Sequence, residues 1–283
     1  MTVLLLALLL WTPPHPPAEQ AFGTVTLLQG PLTLIRGTNL YRGTEGMHLK
    51  RGDILETSDG GFAQLEFSSG IVALGPSSRL YILPAGGSAG GRPVSLDLVL
   101  LSGWLKSETT TNQGLNRVRT PLLGASTSGG SIVVRSGVNA CDVFLETGGP
   151  ASISEVSTNG ETGTATQAKS LQFFSRQKGA PVSILAKPSP AFLDSVPRDF
   201  RDTLPPRQDL NSQKSAEPKS EHPVSYEDVE PWLKGPLTWR KGLADRFAPR
   251  LSDASFRKQI ESHVREFPEW DQLLHPNKSS ESQ

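Results

Sequence analysis

The chain has 283 residues, of which 36% are hydrophobic and 20% are charged. This length allows one large domain or two small ones. The 28 basic and 28 acidic side chains give a formal net charge of +0, so composition gives no reason to expect a nucleic acid as a partner.

The first 21 residues have the features of an export signal. Residues 3–11 are uniformly apolar, too short to span a bilayer comfortably but typical of a signal-peptide core. No Lys or Arg precedes this run, and Ala21 offers a small residue for cleavage before Phe22. We expect residues 1–21 to be a signal peptide or an N-terminal anchor, with an incorrect start as a third alternative. Each alternative exports the rest of the chain.

Residues 22–187 carry a repeated pattern of turns and short strands. It is clearest over residues 50–70, where Gly52 and Asp53 predict a turn and residues 59–61 (Asp-Gly-Gly) predict a hairpin. Residues 62–68 then alternate apolar and polar side chains, as in a strand with one buried face. Short strands at such spacing predict an all-β domain, either solenoid-like or a sandwich.

Cys141 is the only cysteine, so no internal disulfide can form. Its apolar neighbours place it in a predicted strand, where a small buried hydrophobe is the expected role. A reactive thiol or a lipid attachment site is the alternative.

The composition changes at residue 188. Residues 188–224 are predicted to hold a short helix, within residues 191–203, and then a Pro-rich linker that we expect to be disordered over 204–223. The apolar residues of this predicted helix lie on roughly one side of it, namely Phe192, Leu193, Val196 and Phe200.

Residues 225–276 predict a small helical segment, followed by a disordered tail over 277–283. Ser252 can cap a helix in which Phe256, Ile260, Val264 and Phe267 lie on one face. The segment is too small to bury much by itself, so we expect it to dock on the β-domain or on a partner.

Three tryptophans of this segment, Trp232, Trp239 and Trp270, allow two interpretations. They can pack against the sheet or within the segment. Alternatively, they form a partner-binding surface, because tryptophan concentrates binding energy at interfaces.

The turn-and-strand pattern of residues 22–187 resembles a FecR domain, most strongly over residues 52–83. The family pattern has a Gly-Asp turn, a Thr, an Asp-Gly pair, a Gly-ended hairpin, a Pro-Ser pair and a later Thr-Pro. The matching residues are Gly52, Asp53, Thr57, Asp59, Gly60, Gly70, Pro76, Thr120 and Pro121. The chain departs from the pattern at Ser69, where the family usually has Asp, and in the second half.

This resemblance implies an envelope module of bacterial regulators. The best-known members are anti-sigma regulators of iron uptake, with a cytoplasmic sigma-binding domain, a membrane helix and a periplasmic part. Only Met1 and Thr2 precede the apolar run, which leaves no room for a sigma-binding domain. We expect the residues that match the family pattern to specify the turns of the fold and not to form a binding site.

No catalytic constellation stands out. His48 is the one histidine within the β-region, and residues 124–129 lack the spacing of a nucleophile elbow. Nothing in the sequence pairs Glu56, Asp59 and Glu66 for glycoside chemistry. No Cys/His cluster has metal-ligand spacing, and no phosphate loop occurs, so no cofactor or metal is expected. Residues 51–53 (Arg-Gly-Asp) coincide with the Gly-Asp turn, which makes an adhesion role the lesser interpretation.

The sequence thus predicts a non-enzymatic, exported FecR-like sensing or scaffolding module that binds an envelope protein. The expected location is periplasmic or secreted, or anchored in the inner membrane and facing the periplasm. The alternatives are the periplasmic half of an anti-sigma signal relay, a binder of cell-wall glycan, and an enzyme acting on that glycan.

Overall fold

The computed structural model describes residues 22–84, 88–89, 91–110, 114–207 and 216–275. The predicted signal and the predicted tail lie outside the described residues. The strands are β1 (Gly23–Gln29), β2 (Leu32–Arg36), β3 (Asn39–Arg42), β4 (His48–Leu49), β5 (Ile54–Thr57), β6 (Phe62–Phe67), β7 (Gly70–Leu74), β8 (Arg79–Ile82), β9 (Ser88–Ala89), β10 (Arg92–Thr109), β11 (Leu115–Arg119), β12 (Leu123–Thr127), β13 (Gly130–Ser136), β14 (Ala140–Gly148), β15 (Ala151–Val156), β16 (Thr162–Ala168), β17 (Phe173–Gln177), β18 (Ser183–Leu185) and β19 (Lys219–Pro223).

The helices follow the main body of strands. They are α1 (Pro190–Ser195), α2 (Tyr226–Leu233), α3 (Leu237–Phe247), α4 (Ala254–Ser262) and α5 (Asp271–Leu274), with 3-10 turns at Arg198–Phe200, Ala248–Ser252 and Pro268–Trp270. The predicted mainly-β class with a small helical C-terminal part is confirmed.

The strands form two facing sheets that share β10. Sheet A has the order β4-β1-β6-β7-β10-β13-β14-β17-β18, and sheet B has the order β19-β3-β2-β5-β8-β10-β11-β12-β15-β16. The first half of β10 pairs in sheet B and its second half pairs in sheet A. Only the β10–β11 pairing among these strands is parallel. Of the two predicted architectures, the chain adopts the sandwich.

The space between the sheets holds the main core. Val25, Leu65 and Leu74 of sheet A pack there with Leu34 and Leu55 of sheet B, all completely buried. Burial of such side chains stabilises the fold by about 1.5–3 kcal/mol each. Cys141 is free and buried in the same core, so its interpretation as a small buried hydrophobe is confirmed.

Residues 59–61 do not make the predicted hairpin. β5 pairs with β2 and β8 in sheet B, whereas β6 pairs with β1 and β7 in sheet A. Gly60, at φ +75°, therefore turns a corner between sheets. The residues of a tight turn specify a reversal of the chain, but not which strand becomes the neighbour.

The outer faces of both sheets are covered by the C-terminal third of the chain. Residues 189–207, which we name the strap, lie on sheet A, where Phe192, Val196, Phe200 and Leu204 are buried. Residues 225–275, the helical module, pack on sheet B through side chains such as Ile54 and Val99. The central strands of each sheet are therefore buried on two sides.

The predicted disordered linker is partly wrong. Residues 208–215 lie outside the described residues, but Lys219–Pro223 forms β19 and pairs with β3. Leu204 is 3% exposed. These residues lack apolar periodicity because β19 is a fully exposed edge strand, so no buried face imposes a pattern on it.

Candidate functional site

The Gly-Asp turn of residues 52–53 is held by a buried ion pair. Asp53 is 1% exposed and accepts hydrogen bonds from Arg36 Nε at 2.9 Å and Nη2 at 2.7 Å. Its second oxygen also accepts from the Lys50 main-chain N–H at 2.8 Å, which closes the turn. Asp53 raises the pKa of the Arg36 guanidinium through these hydrogen bonds. The carboxylate has a structural role here.

Two threonines of the FecR-like pattern fasten other turns. The Thr57 hydroxyl donates to Gly75 O at 2.7 Å and accepts from Ser78 N at 2.9 Å, so it brackets the turn that contains Pro76. The Thr120 hydroxyl donates to Leu123 O and accepts from Leu123 N, across the turn that contains Pro121. Neither threonine faces a ligand site.

The remaining pattern residues lie at turns as well. Gly70 has φ +150°, and a Cβ there would collide with the Glu108 carbonyl oxygen of the adjacent strand, so a side chain cannot be accommodated. Gly52, at φ +89°, and Gly60 also lie in the left-handed region. Asp59 is an exposed corner residue. The pattern residues are distributed over several turns and do not converge on one site.

The three tryptophans proposed as a partner-binding surface are buried within the chain. Their exposure is 1% for Trp232, 4% for Trp239 and 0% for Trp270. Trp232 stacks edge-on against Tyr81 of sheet B and donates its indole N–H to Glu56 at 3.1 Å. The partner-binding interpretation is therefore replaced by the packing alternative, because Trp232 packs on sheet B and all three rings belong to the core between the helical module and that sheet.

Arg246, on α3, is the main polar anchor of the helical module, and sequence reasoning missed it. Its guanidinium donates to three carbonyl oxygens of the sandwich, those of Gly37 at 2.8 Å, Gly52 at 2.6 Å and Ile35 at 2.9 Å. Burial lowers the pKa of Arg246, and burial raises the pKa of the neighbouring Tyr81 phenol. A lone basic residue in a helical pattern gives no sign of such a contact.

The strap is bound largely through its main chain. Lys106, with its side chain 3% exposed, donates to Phe200 O at 2.9 Å and Asp202 O at 3.0 Å. Glu108 and Glu66 accept from the main-chain N–H groups of Leu204 and Arg207, at 3.0 and 2.6 Å. The polar face of β6, expected to be solvated, is therefore buried under the strap.

The candidate carboxylates do not form a catalytic pair. Glu56 lies on the outer face of sheet B under Trp232, whereas Glu66 lies on the outer face of sheet A under the strap. The two are on opposite sides of the sandwich, so Glu56 and Glu66 cannot act together as a catalytic pair. His48 is an exposed edge residue. Among the described residues no group of His, Cys, Asp and Glu could hold a metal, and no described helix is long and apolar enough to cross a bilayer.

With the central strands of both outer faces covered, the edges of the sheets are accessible main-chain surface. β16 is the outermost strand of sheet B and, within the described part of the chain, pairs only with β15. Its first six residues are exposed, and its sequence, Thr-Gly-Thr-Ala-Thr-Gln-Ala, contains neither charge nor proline. Sequence reasoning did not identify this strand, although its alternating threonines are typical of one.

The other three edges carry features that oppose pairing. β19, at the far edge of sheet B, contains Lys219, Glu221, His222 and Pro223. In sheet A, β4 has two residues and β18 has three, and Pro181 and Pro188 flank β18. Charge, proline and shortness are the means by which proteins protect edge strands. β16 is the one edge among the described strands that combines length with none of these.

A cavity of about 280 Å³ opens at the same end of the sandwich, between β16 and the last strands of sheet A. Thr164 and Thr166 of β16 line one side, and Phe174 and Val182 line the other. The β16 edge and this cavity together form the candidate site. It can offer main-chain hydrogen bonds to an added strand and a recess with apolar walls at Ile153, Phe174 and Val182 to one of its side chains.

Comparison with known proteins identifies no family. No family model and no curated protein matches the chain, so the FecR resemblance stays a prediction. Two crystal structures of "a putative anti-sigma factor from Parabacteroides distasonis ATCC 8503" match at TM-scores of 0.38 and 0.39, with 10% and 11% identity. Each match covers 47% of this chain and 59% of that chain, less than two thirds of its length. Values this low support no conclusion about activity or partner.

Proposed function

We propose that the chain is a protein-binding scaffold that takes up an extended segment of a partner as an additional strand of sheet B. The observation that carries this proposal is the exposed, uncharged, proline-free edge of β16. Addition of a strand gives affinity through main-chain hydrogen bonds and specificity through pockets for alternate side chains.

The cavity beside β16 supports the same function. Alternate residues of a strand paired with β16 face the inside of the sandwich, where Phe174 and Val182 offer apolar contact. We therefore expect the partner segment to be extended and to carry one apolar side chain at an inward-facing position.

Adjacent proline substitutions test the edge. In an antiparallel strand, consecutive main-chain N–H groups point to opposite sides. Of Ala165→Pro and Thr166→Pro, one therefore removes an N–H that bonds to β15 and loses thermal stability. The other removes an N–H on the outer side of β16 and leaves stability unchanged. We expect the stable variant to lose at least about tenfold in partner capture from extracts of the source cells.

Hydrogen exchange on the captured complex locates the contact, with increased protection expected in β16. A proline at exposed Val138, in the β13–β14 loop and 78% exposed, is the matched control and should capture normally. Capture that survives the stable β16 variant, with protection elsewhere, contradicts the proposal. A dimer that the same variant dissociates, measured by light scattering, would instead identify a second copy as the added strand.

We further propose that the module acts outside the cytoplasm and without catalysis. The apolar segment of residues 3–11 supports export, and the separation of Glu56 from Glu66 supports a binding role. Fusion of the full chain to a reporter active only after export tests the location, and a cytoplasmic signal would contradict it. Sedimentation with purified peptidoglycan tests the glycan-binding alternative.

A further inference from the structure

A second surface, which does not require strand addition at β16, lies on the outer face of sheet B. The helical module covers this sheet as far as Val99 of β10. Beyond it, β11, β12, β15 and β16 form a trough of about 380 Å³. Its lining residues are Arg92, Leu115, Arg117, Arg119, Gly124, Ser126, Pro150, Ala151, Ser152, Ser154, Thr162, Ala165 and Gln167.

The floor of the trough is flat because its residues are small. Gly124 and Ser126 on β12 pair with Ser154 and Ser152 on β15. No long side chain rises from these two strands into the trough, which leaves room for an extended chain. The described lining includes three arginines and neither Asp nor Glu, so the trough is electropositive.

Two of the arginines are held in place by one buried carboxylate. Asp97 is 1% exposed and accepts from Arg119 Nε at 3.1 Å and Nη2 at 2.7 Å, and from the same two nitrogens of Arg117. A single arginine would suffice to neutralise Asp97. The second arginine therefore leaves one net positive charge at the site. The Nη1 group of each arginine makes none of the hydrogen bonds to Asp97.

The arrangement is that of a prepared anion site. Guanidinium groups bind carboxylates through strong, directional hydrogen bonds. Groups that are already fixed lose little side-chain entropy when a ligand arrives. Arg117 and Arg119 are two positions apart on β11, so their Cα atoms are about 6.6 Å apart, as are those of alternate residues in an extended peptide, and both side chains leave the same face of the strand.

We propose that this trough binds an acidic peptide segment whose carboxylates alternate, in the pattern acidic-x-acidic. The extended peptide lies along the strands, and its two carboxylates meet the Nη1 groups of Arg117 and Arg119. The β16 edge is not needed for this contact.

Labelled peptides measure the binding in the full chain. The probe is Thr-Glu-Thr-Glu-Thr, and the matched control peptide is Thr-Glu-Glu-Thr-Thr, which has the same composition but directs its carboxylates to opposite sides. By fluorescence anisotropy at low salt, we expect the probe to bind about tenfold more tightly than the control. Equal affinities, or no binding of the probe, would overturn the proposal.

Single substitutions assign the contact. Arg117→Gln and Arg119→Gln each leave Asp97 with one arginine, so the fold is retained, and each should weaken the probe about tenfold. Arg42→Gln, at the far edge of sheet B, makes the same charge change and should have no effect. If Arg42→Gln weakens binding of the probe as much as Arg117→Gln and Arg119→Gln do, the attraction is a non-specific charge effect and the proposal is wrong. Ser152→Glu changes none of the residues that form the Asp97 ion pairs. It places a negative charge in the trough, so it should abolish binding of the probe by repulsion. Undiminished binding of the probe to this variant would refute the site.

Two further measurements distinguish this proposal from an anionic glycan ligand and from strand addition at β16. Polygalacturonate is used in place of the peptide to test an anionic glycan as the ligand. Tighter binding of polygalacturonate than of the probe peptide would refute a peptide ligand. Of the two β16 proline variants, Thr166→Pro changes no residue that lines the trough, and below its unfolding temperature it should bind the probe with unchanged affinity. Failure of the edge to capture a partner and failure of the trough to bind the probe are therefore separate results.

Discussion

Arg246 joins the helical module to the sandwich through three main-chain carbonyl oxygens. We expect Arg246→Met to lower the free energy of unfolding by about 3 kcal/mol, because buried carbonyl groups lose a charged donor. Arg246→Lys should lower it by about 2 kcal/mol, since an ammonium group cannot reproduce the planar spread of donors. Urea unfolding measures both.

A surface arginine provides the control for this experiment. Arg257 pairs with Glu261 on the same module, and both side chains are more than 40% exposed. Arg257→Gln should change the free energy of unfolding by less than about 0.5 kcal/mol. If Arg246→Met has an equally small effect, the three hydrogen bonds do not anchor the module.

Tyr226 gives the module a dependence on alkaline pH. Burial, helped by nearby Glu230 and Glu266, raises the pKa of this phenol to about 12. In the unfolded chain the phenol ionises near pH 10, so the unfolded state loses its proton first. The stabilisation is complete below about pH 10 and is lost as pH rises toward about 12.

The matching experiment compares the wild type with Tyr226→Phe. The wild type should lose about 2 kcal/mol of unfolding free energy between pH 9 and pH 12 from this residue, a loss that the variant avoids. The raised pKa of Tyr81 adds a smaller loss that both proteins share. Parallel pH profiles for the two proteins would show that Tyr226 is not the group responsible.

At the scale of elements, the strap stabilises sheet A by filling its outer face. Phe200 is completely buried and meets Phe62 edge-on at a centroid distance of 6.3 Å. Phe200→Ala should cost about 3–4 kcal/mol through lost burial and the cavity left behind. Leu193→Ala, on the same segment but 45% exposed, should cost less than about 1 kcal/mol. Thermal unfolding distinguishes the two, and equal small losses would mean that the strap is only loosely attached.

Sequence patterns predicted where strands occur better than they predicted which strands are adjacent in a sheet. The strand that contains Cys141 was found because its neighbours are apolar, and it is β14. The corner at Gly60 was not, since a turn that changes sheets contains the same residues as one that stays within a sheet. β19 and β16 were missed because exposed edge strands bear no hydrophobic alternation.

The candidate site could not be predicted from the sequence for a related reason. An open edge is defined by the absence of a neighbouring strand, which depends on the topology of the whole sheet. Arg117 and Arg119 lie two apart on β11, but Asp97 precedes them by some 20 positions and meets them only through the parallel β10–β11 pairing. Local patterns could not indicate that contact.

At the scale of the whole molecule, the strap and the helical module make one stable unit with the sandwich. A protease site inserted within residues 208–215 leaves every described contact intact. We expect the two pieces to remain associated after cleavage and to elute together in size-exclusion chromatography, because Trp232 and Arg246 remain buried against sheet B. Separation of the pieces at micromolar concentration would contradict this.

Truncation after Lys187 should behave very differently. It uncovers Phe62, Ile71 and Phe173 on sheet A, and Ile54 and Tyr81 on sheet B. Apolar patches of this extent lead to aggregation. We expect the truncated chain to be insoluble or to bind a hydrophobic dye strongly, whereas a soluble, dye-silent product would show that the sandwich is stable without its coverings.

The late position of both coverings also sets the order of folding. Arg246 contacts a residue 211 positions earlier, and Trp232 contacts one 176 positions earlier. Contacts of such separation form slowly, because a long loop must close first. During synthesis or refolding, the two sheets therefore exist for a time with bare outer faces, which invites chaperone binding and mispairing between chains. The last third of the polypeptide thus determines whether the earlier two thirds reach the native state before they aggregate.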